Sequence, residues 1–231
     1  MLVKWGGGIT DGRGSIGGTT FSRNRYGGYA RARTKPVNPN STRQAAIRSI
    51  ISSVSQNWSS LLTEAQRLAW GVFAANVPAK NKLGEVINLS GFNQYVKSNT
   101  TAINAGLDAI ADGPTDYTLP GQDPTFAAVI SEAAQTVACT FDDGADWCAE
   151  DGAGLIVQMG IPQGESIKFF GGPFRHAGVI EGSSTTAPTT GDTVTCPFAV
   201  TAGQEIFVRA KIIRADGRLS DWFQISESAG A

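Results

Sequence analysis

A single histidine, His176, limits the catalysis open to this 231-residue chain. Hydrolysis by a Ser–His or Cys–His pair would rest wholly on it, since no second histidine can act as base. It stands in GPFRHAGVI, where a strand is expected to begin, and reads as an ordinary strand-end histidine. Gly12-Arg13-Gly14-Ser15-Ile16-Gly17 matches GxGxxG, but the residues that follow, TTFSRNRYGGY, do not form a helix pattern. The position where a ribose-binding acid belongs is basic, so a dinucleotide site is not expected. Asp142, Asp143, Asp146, Glu150 and Asp151 crowd together and carry enough carboxylate to hold calcium in a loop. Their order, DDGADWCAEDG, lacks the alternation of an EF-hand and reads as a solvated hairpin turn. Cys139, Cys148 and Cys196 are an odd set without a CxxC spacing, and are expected to be reduced, structural thiols rather than zinc ligands. No enzyme, cofactor or metal is expected.

The charges say more. The formal net charge of −1 conceals two opposed halves. Residues 1–50 hold nine basic groups against one acid, Asp11, giving +8. Residues 51–231 hold the other 10 basic and 19 acidic groups, giving −9. A basic arm of this kind meets an acidic partner or a phosphate backbone. Its partner-binding residues are expected to be Arg23, Arg25, Tyr26, Tyr29, Arg31, Arg33 and Lys35. With Phe21 they suggest one aromatic–basic face, suited to carboxylates of a neighbouring protein through paired guanidinium bonds. Rings stacking on bases are the nucleic-acid alternative, and packing of the arm on its own helices is the third.

Those residues need a frame. Ser15–Ser22 and Gly28–Lys35 alternate like strands about a turn at Arg23–Gly27, predicting a two-stranded ribbon within a Gly-rich arm, residues 1–40. A ribbon of two strands is marginal alone in water, so a partner is expected to complete it. Residues 41–106 predict a small three-helix bundle. Asn40 or Ser41 caps a helix carrying Ile47, Ile50, Ile51, Val54, Trp58 and Leu61 on one face. Thr63 and Gln66 form a capping-box pattern opening a second, with Leu68, Ala69, Val72 and Phe73 inward and an end near Pro78. A turn or short hairpin over 82–89 precedes Ser90, which caps a third helix carrying Phe92, Tyr95, Val96 and Ile103, stopped at Gly106.

Residues 107–124 hold three prolines and four aspartates and read as a linker. Beyond it the period changes to two. Strands are predicted over 135–141, 154–159, 165–170, 176–180, 193–200, 205–213 and 219–225. Seven short strands at this spacing indicate an antiparallel β-sandwich of immunoglobulin or fibronectin III style over 125–231. The fold class is therefore α+β in several parts. No apolar run reaches the ~20 residues of a membrane-spanning helix. The N-terminus, MLVKWGGGITDGRG, lacks the apolar core of a secretory signal, so a cytoplasmic site of synthesis and folding is expected.

GSIGGTTFSRNRYGGYARARTKPVNPNSTRQAAIRSI, followed by Leu62–Trp70 (LTEAQRLAW) and Gly91–Asn93, resembles the opening of a set of tailed-phage and prophage proteins. These begin with a Gly-rich segment, a Tyr-x-Arg-x-Arg strand, a Lys-Pro-x-Asn-Pro turn and a Gln/Arg-bearing helix. The resemblance spans about residues 13–107. It implies a virion structural protein without catalytic residues, bound to major capsid or tail subunits and forming a homo-oligomer. It leaves head decoration, neck and tail open, and with tail or neck a carbohydrate- or host-binding role for the β half.

Overall fold

The computed structural model describes the backbone of residues 2–3, and residues 11–35, 37–81 and 83–230 in full. The chain is α+β, with three helices and several antiparallel sheets. The N-terminal segment forms β1 (Leu2–Val3), β2 (Gly14–Ile16), β3 (Thr19–Asn24) and β4 (Gly27–Ala32). They pair antiparallel in the order β1-β4-β3-β2. The expected two-stranded ribbon is thus a four-stranded sheet. Its predicted first strand is broken because Gly17, at φ 55°, turns the chain between β2 and β3. Gly27, at φ 117°, closes the second turn, where the Asn24 side chain accepts the Tyr26 amide at 2.9 Å.

Three capped helices follow. In α1 (Thr42–Ser60) and α2 (Glu64–Asn76), Ser41 with Gln44 and Thr63 with Gln66 form reciprocal capping boxes. A cap of this type contributes about 1 kcal/mol. Helix α3 (Gly91–Ala105) is capped by Ser90 and ends at Gly106 in the left-handed region, φ 99°. Between α2 and α3 lies a minimal hairpin, β5 (Ala79–Lys80) with β6 (Val86–Ile87).

Val54, Leu62, Trp70, Phe73, Val77 and Tyr95 form the core shared by the helices. Trp70 sits edge-on to Phe73 and Tyr95 at 6.0 and 5.5 Å. The inward face of α2 differs from the expected one: Leu68 and Val72 face outward, while Trp70, Phe73 and Ala74 are buried. Both sets satisfy helical spacing, and the larger Trp70 takes the interior. Helices α2 and α3 touch backbone to backbone, since a Cβ on Gly91 would lie 2.7 Å from the Gly71 nitrogen.

The remaining strands are β7 (Ala127–Ser131), β8 (Thr136–Thr140), β9 (Gly154–Gly160), β10 (Phe174–Glu181), β11 (Thr193–Thr195), β12 (Glu205–Ile213) and β13 (Phe223–Ser228). They form two antiparallel sheets, β10-β9-β12-β13 and β11-β8-β7. One apolar core joins them, with Ile130, Val137 and Cys139 from the smaller sheet against Leu155, Val157, Met159, Ile206 and Val208 from the larger. Strand β7 was not anticipated, and residues 165–170 are not a strand. There Phe170 turns inward onto Phe174 and Phe207, at 5.3 and 5.6 Å, over Gly160, leaving Phe169 exposed.

Residues 107–124 contain no helix or strand but are tied on both sides. Asn99 both donates to the Ile110 carbonyl and accepts its amide, and the Trp70 indole donates to the Ala111 carbonyl. Farther along, Arg218 binds Asp116 and the Thr118 carbonyl, and Gln122 donates to the Trp222 carbonyl. Ala102 and Ala105 of α3 meet Ile156, Ile213 and Leu219 in a third apolar cluster, so the helices rest on the outer face of the larger sheet.

Candidate interaction surface

Cross-strand partners lie on one face of a sheet. Phe21 opposes Ala30, and Arg23 opposes Gly28, so Phe21 and Arg23 share a face with buried Ala30. Tyr29 opposes Ser22 and Arg31 opposes Thr20, on the other face. The single aromatic–basic face expected from the sequence is therefore divided between two, because Phe21 and Arg23 fall at odd register to Tyr29 and Arg31. Arg25 and Tyr26 occupy the turn between β3 and β4, with the guanidinium 5.9 Å from the Tyr26 ring centre. Arg33 and Lys35 lie past the end of β4, and the Arg33 amide still donates to the Gly18 carbonyl at 2.7 Å.

The charges of this surface are largely unspent. Asp11 stands 3.7 Å from Arg23 and 4.0 Å from Arg13. Among the described residues Arg25, Arg31, Arg33 and Lys35 make no ion pair, and all four are exposed. A hydrogen bond from Asn93 to the Tyr26 hydroxyl, 3.4 Å, links the turn to α3. The basic residues just beyond behave differently. Arg48 binds the side chains of Asn38 and Asn40, and Arg43 that of Asn104, so these two exposed arginines are engaged in tying α1 to its neighbours.

Elsewhere the possible chemistry is occupied by structure. The GxGxxG residues lie in a loop, in β2 and in the β2–β3 turn, with no helix after them. Of the clustered acids, Asp146 and Glu150 pair with Arg214, Asp151 receives two hydrogen bonds from Ser184, and Asp142 holds the Gly144 amide. No group of three or more His, Cys, Asp or Glu among the described residues could hold a metal ion. A groove of about 410 Å³ runs beside Asp116, Asp123, Asp142, Asp146 and Trp147, and its two arginines, Arg214 and Arg218, are neutralised by carboxylates. Burial pushes the Cys139 and Cys148 thiols up to about 12 and about 11, with nearby aspartates adding to the shift. His176 is half-buried in β10, held below its ordinary value by burial and by Arg43. No helix among the described residues is long and apolar enough to cross a membrane.

One constellation was not singled out in the sequence. On the outer face of the larger sheet, the Arg209 guanidinium lies 4.2 Å from the Phe174 ring and 4.4 Å from that of Trp222. The Lys211 ammonium lies 4.7 Å from the same indole. Arg209 and Lys211 alternate with apolar residues in β12, which reads simply as a wetter face. Only the folded sheet brings Trp222 over them.

No protein family, curated protein or solved structure matches the chain.

Proposed function

We propose that this chain is a non-enzymatic bacteriophage virion structural protein, a head decoration or other accessory subunit held by its basic N-terminal sheet. The helices act as a small three-helix bundle behind the contact. The two C-terminal sheets act as an immunoglobulin- or fibronectin III-like sandwich turned to solvent, assigned by analogy of layout. The resemblance of residues 13–107 to tailed-phage proteins supplies the setting. The observation that carries the attachment is the set of four exposed cations, Arg25, Arg31, Arg33 and Lys35, that make no ion pair among the described residues. A neighbouring capsid or tail subunit with an acidic surface would neutralise them, and arms of this kind settle as assembly proceeds.

Deletion of residues 1–40 tests the reading. The truncated protein should stay folded and soluble yet fail to join particles assembled in the host cytoplasm. Normal incorporation of the truncation would overturn it. Nucleic acid is the alternative partner, and it predicts copurifying nucleotide with steep salt dependence of binding.

A further inference from the structure

In β9 and β12 every residue is buried except Gln158, Arg209 and Lys211. These three lie on the outer face of the sheet, away from the shared core. Register places His176, Gln158, Arg209 and Gln224 in one row across four strands. Lys211 lies one row nearer to α3, beside Ile156. Gln158 accepts from two nitrogens of Arg209, at 2.9 and 2.7 Å, which fixes the guanidinium between the Phe174 and Trp222 rings. Two cations thus share one indole. Among the described residues, neither has a carboxylate within ion-pair distance. The Nδ1 atom of His176, in the same row, is buried without a hydrogen-bond partner.

Helix α3 adds to the excess. Ser98 packs at the Gly217 turn, and the preceding residue, Lys97, lies within electrostatic reach of Asp221 and Lys211. Burial chiefly, and then Lys97 and Arg209, lower the Lys211 value, and Asp221 raises it. Positive charge therefore predominates here: Lys97, Arg209 and Lys211 act against the one carboxylate of Asp221, and Arg43 acts on His176 in the same row. Burial with like-charged neighbours is unfavourable for an ammonium unless an anion joins it.

We propose that Lys97, Lys211 and the free edge of Arg209 form a binding site for a tetrahedral oxyanion, a phosphate or sulfate group. A tetrahedral dianion brings more charge and more acceptor oxygens to this excess than a single carboxylate does. Arg209 is the fixed wall, immobilised by two rings and Gln158, so little conformational entropy opposes binding at that edge. The lysines supply charge that can follow the ligand. The site owes nothing to the N-terminal sheet and stands whether or not that sheet attaches the protein to particles.

The test uses the full-length protein and inorganic phosphate or sulfate, with sodium chloride holding ionic strength constant. Thermal shift and titration calorimetry should show saturable stabilisation beyond that of chloride. Lys97→Gln, on an exposed position that leaves the fold intact, should weaken binding about tenfold, the loss of one ~1.4 kcal/mol charge contact. Lys97→Gln with Lys211→Gln should abolish it, and Lys211→Arg, which keeps the charge, should bind nearly as the wild type does. Lys168→Gln, in the loop beside Glu205, should change nothing. Binding should weaken as pH rises past about 8, where Lys211 loses its proton while facing Lys97, Arg209 and Asp221. Glucose 6-phosphate binding more tightly than phosphate would assign the group to a phosphorylated saccharide, and equal binding to the free ion. Phosphate and sulfate acting no differently from chloride would overturn the proposal, leaving the stack as structure alone. So would a double lysine variant that binds like the wild type.

Discussion

Two four-stranded antiparallel sheets in this chain use the same backbone hydrogen bonding and differ in almost everything else. In the N-terminal sheet, Ala30 is the one buried side chain among the described residues of β2, β3 and β4. In the C-terminal sheet, six of the seven residues of β9 and seven of the nine of β12 are buried. Hydrogen bonds exchanged with water contribute little net stability, whereas burial of apolar area contributes about 25 cal/mol per Å². The C-terminal sheet is therefore a foundation. The N-terminal sheet is held mainly by its turns, and the side chains it exposes are left for a partner.

The largest test of that contrast is to remove one side chain from each sheet. Ile206→Ala, at a fully buried position of β12, should cost about 2–5 kcal/mol of global stability. Arg31→Ala with Arg33→Ala should stay within about 0.5 kcal/mol, as exposed substitutions do. Chemical denaturation followed by tryptophan fluorescence measures both. Equal losses would mean that the basic residues pack inward and are not kept for a partner.

A smaller effect separates the sheets by their turns. Gly27 sits at φ 117° with open space around it, so Gly27→Ala adds backbone strain without a clash. It should destabilise β3 and β4 by roughly 1–2 kcal/mol. Amide hydrogen exchange should show faster opening of these strands, with β9 and β12 unchanged. Loss of protection in β9 and β12 as well would mean that the two sheets unfold as one unit.

Local chemistry was what the sequence displayed best. The Thr63–Gln66 capping box is read directly from the sequence, the start of the first helix is narrowed to Asn40 or Ser41, and β12 runs over the predicted residues 205–213. Long-range choices were not legible. Nothing in the alternation of residues 165–170 announces that Phe170 will abandon a strand to stack on Phe207. Nor does the spacing of α2 decide between Leu68 and Trp70 as the inward residue. Of the candidate surface, the charged residues were legible, but their division between two faces follows from the two-residue Arg25–Tyr26 turn, closed by Gly27, and the β3–β4 register it sets. The Arg209–Trp222 contact joins residues 13 apart across a hairpin, and only tertiary pairing reveals it.

The last expected effect is a slope rather than a step, and it lies on the outer face of the buried sheet. Burial, with Lys97 and Arg209 nearby, pulls Lys211 from its ordinary 10.5 to about 8. Between those values the unfolded chain holds a proton on this lysine that the folded chain has released. Stability must then rise with pH across that window, because the unfolded state binds more protons. The Cys139 and Cys148 thiols act oppositely, since they ionise more readily when unfolded. The difference between wild type and Lys211→Met cancels the thiols and isolates the lysine. That difference should grow in favour of the wild type from pH 8 to pH 10, measured by urea denaturation. Saturating phosphate should move the window upward, since an oxyanion beside Lys211 favours the ammonium. A difference that is flat with pH would show that Lys211 is solvated like an ordinary surface lysine. The outer face would then resemble the N-terminal sheet more than its burial suggests.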